Sequence, residues 1–165
     1  FAGAELGHMV IEKDGRPCSC GRNGCWESYS SATGLVNMTK DKLSECHSTG
    51  RETLMDKIVA KNEGRISGKT AFSAMKSGDA AAAEVVEDYI DYLACGLTNI
   101  LRIFQPDVLS IGGGICNEGD NLLVPLKKKI DEMLHLPDYA KKTEIKIAEM
   151  GNDAGIVGAA MLGKL

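Results

Sequence analysis

The chain has 165 residues, 44% hydrophobic and 25% charged, which fits about one globular domain. A net charge of −4 argues against a nucleic-acid surface, which needs a basic patch. No apolar run reaches the length of a membrane span, and no signal-peptide pattern opens the chain. Its first residue is Phe1, read here as a start inside a longer sequence.

Taken in order, "GAELGHMVIEKDG" reads as an extended segment that turns at Asp14–Gly15. A cysteine-rich loop follows. From Trp26 to about Leu43 the spacing is weakly helical, with Tyr29, Ala32, Val36 and Leu43 inward and a break expected near Gly34. "RETLMDKIVAKNEG" predicts a short helix with Leu54, Ile58 and Val59 on one face and Gly64 as its stop. "SGKTAFSAMKSGD" predicts another, ending at Ser77–Gly78, with Asp79 as N-cap of the next. That next helix is the longest. Val85, Val86, Tyr89, Ile90, Leu93, Leu97, Ile100, Leu101 and Phe104 form its apolar face, and Pro106 ends it. "DVLSI" reads as a strand, "GGG" as a turn, and "NEGDNLLVPLKKKIDEML" as a helix with Pro125 near its start. "EIKIAEM" alternates as a second strand, and "NDAGIVGAAMLGKL" predicts a small-residue helix suited to close packing. Helix, strand, glycine turn, helix, strand, helix is an α/β order.

Three of the six cysteines, Cys18, Cys20 and Cys25, fall within eight residues, and His8 lies ten residues before the first. Three thiolates and an imidazole suit tetrahedral zinc, and four protein ligands make such a site structural. Gly21 and Gly24 supply the tight turns. The alternatives are a disulfide between two of the cysteines or free thiols in a loop. Cys46, Cys95 and Cys116 stand singly, and the whole pattern suits a reducing, cytoplasmic setting. Glu5 and Glu27 flank the loop. Preorganised carboxylates accept hydrogen bonds from sugar hydroxyls, while two solvated surface glutamates are the other reading. Gly113 and Gly114 permit close approach of a ligand beside a helix N-terminus, or make a plain tight turn.

"ELGH" followed by "CSCGRNGCWE" resembles the signature of the ROK family (repressors, open reading frames, sugar kinases). "PDVLSIGGGICNEGDNLLVPL" and "MGNDAGIVGAAML" resemble that family's adenosine-side and closing segments, so the resemblance covers the chain. Within the family the chain is most similar to glucokinases. The resemblance implies structural zinc on His8, Cys18, Cys20 and Cys25, sugar contacts from Glu5, His8 and Glu27, and nucleotide contacts from Gly113 and Gly114. It implies an α/β, actin-like (ribonuclease-H-like) larger domain over 1–165, with 1–28 as its sugar and zinc segment and 105–165 on the nucleotide side. It implies ATP and Mg2+ in the intact enzyme, with no nucleic-acid or membrane partner. The alternative it leaves is the effector-binding domain of a ROK repressor.

The family's "ND.NAA" stretch, which carries the catalytic aspartate, and its "D.GGT" and "GTG.GGG" loops do not occur in these residues. The resemblance places them upstream of Phe1, with the N-terminal lobe. Two consequences are expected: no kinase activity from this polypeptide alone, and a sheet with an unpaired edge through which a homodimer forms.

Overall fold

The computed structural model describes residues 3–137 and 139–162. Its helices are α1 (Glu27–Ser30), α2 (Ala32–Thr49), α3 (Leu54–Lys61), α4 (Thr70–Lys76), α5 (Ala80–Phe104), α6 (Asp120–Leu134) and α7 (Ala154–Met161). Its strands are β1 (Val108–Ile111) and β2 (Glu144–Ile147). The strands pair in parallel, Val108 with Glu144 through Ile111 with Ile147, and α6 connects them. The chain is α/β as the element order predicts, but mostly helical, and the described sheet has two strands. No helix among the described residues is long and apolar enough to cross a membrane.

The core forms around α5, which packs on α2, α4 and α6. Val85, Tyr89, Leu97 and Leu101 of α5 are buried with Leu35 of α2, Phe72 of α4 and Leu122, Leu126 and Ile130 of α6. The predicted apolar face of α5 ends one turn early. Leu101 is buried but Ile103 and Phe104 are exposed, and the chain leaves the helix at the αL residue Gln105. Pro106 then prevents the helix from resuming.

Local chemistry explains most boundaries. The break expected near Gly34 comes at Ser31, whose hydroxyl accepts the Gly34 N–H at 3.0 Å and caps α2. Gly34 instead sits in the first turn of α2, pressed against the Tyr29 carbonyl. In α3 the fully buried residue is Met55, and the predicted face of Leu54, Ile58 and Val59 packs only partly against the core. Pro125 lies inside α6, past its first turn, and so leaves the Asn121 carbonyl without its helical N–H partner. Helix α7 forms as predicted. All its residues are exposed, so the close packing expected of it is not made by the described part of the chain, and the predicted helix's last three residues, 163–165, lie outside the described residues.

The Asp79 carboxylate joins α3 and α5. It caps α5 by accepting the Ala82 N–H at 2.7 Å. It also accepts the Leu54 N–H at the start of α3 and the Thr53 hydroxyl at 2.9 Å. Burial works to raise its pKa, but the Ala82 and Leu54 N–H groups and the Thr53 hydroxyl outweigh it, and the net shift is downward. A lowered folded pKa gives stability that is present above the unfolded value and lost as pH falls through the folded one. Asp79→Ala is expected to cost about 2 kcal/mol at neutral pH, since it uncaps one helix and strands a donor of another. Urea melts at neutral pH and at low pH check this: the gap between variant and parent should close in acid.

Candidate functional site

The cysteine loop is one narrow hairpin with an outer and an inner pairing, separated by a turn in its first arm. In the outer pairing, the Ile11 N–H donates to the Gly24 carbonyl at 2.9 Å and the Trp26 N–H donates to the Met9 carbonyl at 2.8 Å. Val10 and Cys25 pair across it, and Asp14, at φ 57°, makes the predicted turn. In the inner pairing, Pro17 faces Asn23, the Cys18 N–H donates to the Arg22 carbonyl at 2.9 Å, and Gly21 turns the tip at φ 86°. Gly24, at φ 77°, joins the two. A Cβ there would lie 1.7 Å from the Glu12 carbonyl oxygen, so only glycine fits. The segment before the loop is not extended throughout: Leu6–His8 form a 3-10 turn, closed by the His8 N–H donating to the Glu5 carbonyl at 3.0 Å. That turn swings the His8 ring back over the cysteines.

The four predicted metal ligands meet. Their ligand atoms all lie within 4.8 Å of one another. Cys18 Sγ is 3.5 Å from His8 Nδ1, and Cys20 Sγ is 3.6 Å from Cys25 Sγ. Tetrahedral zinc with ordinary bond lengths has edges of about 3.6 Å between sulfur and nitrogen and about 3.8 Å between sulfurs. A disulfide would hold its sulfurs at about 2 Å, and the six cysteines are free thiols. The donor set and its spacing therefore fit a four-coordinate soft metal. The thiols are already divided electrostatically. The Arg22 backbone N–H, then its guanidinium, draw Cys20 down to about 6, whereas burial pushes Cys25 up to about 11.

Glu27 joins the same cluster from the first turn of α1. Its Oε1 accepts the Cys18 thiol at 3.1 Å and the Ser19 hydroxyl at 3.2 Å, and lies 3.6 Å from His8 Nδ1. The Cys18 thiol holds its carboxyl below the ordinary value, against the opposing effect of burial, with help from Ser19 and the His8 charge. Gly7 lies beneath it, where an added Cβ would sit 3.4 Å from the Glu27 Cβ. Glu5 is exposed at the start of the 3-10 turn, and what it shares with the cluster is that turn's backbone.

Gly113 and Gly114 stand on a separate element, at the carboxyl end of β1. Gly113 has φ 102° and ψ 170°, a conformation open only to glycine, and a Cβ on either residue would meet nothing within 4 Å. The helix expected to follow directly does not. A 3-10 turn, Gly114–Glu118, intervenes, and α6 starts only at Asp120. The backbone at the glycines is open to a ligand, but a short 3-10 turn stands where an α-helix N-terminus was expected.

Sequence reasoning missed what fastens the loop to the core. Trp26 lies between Cys25 and Glu27, and its Nε1–H donates to the Tyr92 carbonyl at 2.9 Å. The indole lies flat on Gly96 of α5, where a Cβ would come within 2.0 Å of the ring. Tyr29 stacks on Tyr92 with ring centroids 4.3 Å apart, and its hydroxyl accepts the Arg16 N–H at 2.6 Å. The signal in the sequence was a lone tryptophan between two candidate site residues and a glycine in a long helix, which spacing alone does not connect. A further cavity of about 490 Å3, floored by Leu101, Ile130 and Leu134, lies between the ends of α5 and α6 and the start of β2, and contains none of the predicted residues.

A glucokinase of Halalkalibacterium halodurans is 37% identical over 161 residues, 97% of this chain and 47% of its own length. A xylose repressor of Bacillus spizizenii is 25% identical over 162 residues, covering 98% of this chain and 36% of the repressor. Among solved structures, a ROK family glucokinase from Streptomyces griseus, in complex with glucose and AMPPNP, superposes with a TM-score of 0.81 at 29% identity, over 97% of this chain and 51% of that one. The chain thus spans about half the length of the glucokinases it matches. The ROK family pattern itself runs over residues 2–165, and this chain belongs to the ROK family.

Proposed function

We propose that this chain is the larger, actin-like domain of an ATP-dependent sugar kinase, with glucose as acceptor and its 6-hydroxyl as the group phosphorylated. The observation that carries this reading is the convergence of His8, Cys18, Cys20, Cys25 and Glu27 in one loop, in a chain whose relatives include glucokinases. His8, Cys18, Cys20 and Cys25 hold zinc, which supplies rigidity and no open coordination position. His8 turns Nδ1 toward the thiols, so its Nε2 is left for a sugar hydroxyl. The Glu27 carboxylate, beside the cluster, accepts a second hydroxyl, and Glu5 accepts a third. Bidentate or paired acceptance of this kind orients the ring. Gly113 and Gly114 let the nucleotide approach β1, and Mg2+ accompanies ATP in the intact enzyme.

These residues bind and orient, but none of them is a base for the attacking hydroxyl. The chain alone is therefore expected to bind glucose without turning it over. Calorimetric titration of the zinc-loaded chain with glucose, followed by a coupled assay with glucose, ATP and Mg2+, tests both halves. Absence of sugar binding would remove the substrate assignment, and turnover well above background would remove the division of labour.

The xylose repressor relative favours a second reading, an effector-binding domain that takes the sugar and no nucleotide. ATP titration separates the two: binding sensitive to substitution at Gly113 supports the kinase. The edges of the sheet that no strand pairs among the described residues suit pairing with a second copy, which sedimentation at high concentration reads out. A cytoplasmic setting agrees with free thiols.

A further inference from the structure

We propose that Arg22 is the positioning residue of the metal centre, locking the His8 turn onto the cysteine hairpin and supplying part of the centre's counter-charge. This rests on the zinc reading above. Arg22 sits at the hairpin tip between Gly21 and Gly24 and makes hydrogen bonds with two of the four proposed ligand residues. Its carbonyl accepts the Cys18 N–H at 2.9 Å. Its guanidinium reaches back fourteen residues, and Nη2 donates to the His8 carbonyl at 2.7 Å.

The His8 carbonyl is the decisive contact. Two donors face it, Arg22 Nη2 at 2.7 Å and the Cys25 thiol at 3.6 Å. A cysteine that ligates a metal has lost its proton and no longer donates. In the metal-bound site Arg22 is then the side chain that still holds this carbonyl. His8 is the ligand most in need of such a hold, since it lies ten residues from Cys18 and outside the hairpin. Charge points the same way. Three thiolates, a neutral imidazole and a divalent cation sum to −1, the Glu27 carboxylate beside Cys18 adds to that negative charge, and the guanidinium offsets part of it. Arg22 is solvent-exposed, so screening weakens the charge contribution and the hydrogen bond to the His8 carbonyl carries more of the effect.

The experiment compares the parent chain with Arg22→Ala, Arg22→Lys and Arg22→Met, and with Arg16→Ala as a control at the far end of the loop, where Arg16 pairs with Asp41 at 2.6 Å. Zinc affinity is read by competition with a chromogenic chelator, and ligand-field absorption of the Co2+ form reports the donor set. Arg22→Ala and Arg22→Met are expected to bind zinc about tenfold more weakly, the lower end for loss of an outer partner. Their Co2+ spectra should show His8 partly replaced by water. Arg22→Lys should recover most of the affinity, and Arg16→Ala should leave the Co2+ spectrum unchanged. Parent-like zinc affinity and Co2+ bands in Arg22→Ala would overturn the assignment while leaving the zinc reading intact. A parent chain that binds neither metal would overturn both.

Discussion

Cys25→Ser is expected to abolish stoichiometric zinc and weaken the metal by at least about a thousandfold, because hydroxyl is a poor replacement for thiolate at a soft tetrahedral site. Cys25 is the most constrained of the four ligands. It is fully buried, it pairs with Val10 across the hairpin, and it lies between Gly24, which admits no side chain, and Trp26, which is fixed to α5. The loop has no room to bring another donor to its position. The damage should stay local. The core residues of α2, α4, α5 and α6 pack on one another, so far-UV circular dichroism should keep its helical signal. Trp26 is the chain's one tryptophan, and its emission reports the loop and its seat on α5. Removing metal from the parent with a chelator should shift that emission without melting the helices. Elemental analysis and chelator competition give the affinity, and full zinc occupancy in Cys25→Ser would contradict the ligand set.

The cysteine loop was legible in the sequence because its information is chemical and local. Cysteine and histidine at short spacing need no tertiary context to suggest a metal, and glycine at 21 and 24 announces the turns that the positive φ values require. Asp79 and Pro106 were legible for the same reason, since a cap and a helix stop act on their neighbours in the chain. What was not legible is tertiary. The seat of Trp26 on Gly96 spans seventy residues, and nothing in helix spacing marks that glycine as a landing place. The reach of Arg22 to the His8 carbonyl depends on a 3-10 turn at Leu6–His8, in a stretch that reads as extended because Met9, Val10 and Ile11 follow it. Spacing gave helix α7 correctly but could not show that no described element covers it. The strand and glycine pattern after Pro106 gave β1 and its turn, yet not the 3-10 segment that delays α6 to Asp120.

Glu27→Gln tests whether the metal loop serves a sugar at all. The substitution keeps the side chain's shape and one carbonyl acceptor, and removes the charge. If Glu27 accepts a sugar hydroxyl as a carboxylate, a charge-assisted hydrogen bond is lost, and glucose affinity of the zinc-loaded chain should fall by about thirtyfold to a hundredfold. Zinc affinity should change little, since Glu27 touches the ligands Cys18 and His8 without being one of the four. The two readouts must therefore separate: sugar binding falls and metal binding holds. The opposite pattern, zinc lost with sugar affinity intact, would make Glu27 a buttress of the cysteine loop. Its contact with Cys18 and its hydrogen bond from Ser19 would then be its whole function. Gly7→Ala gives an independent check, because it leaves the Glu27 charge in place but adds a Cβ 3.4 Å from the Glu27 Cβ. A carboxylate that must sit within a few tenths of an ångström of a hydroxyl should register that pressure as weaker glucose binding. A glutamate that merely faces solvent would move aside at no measurable loss.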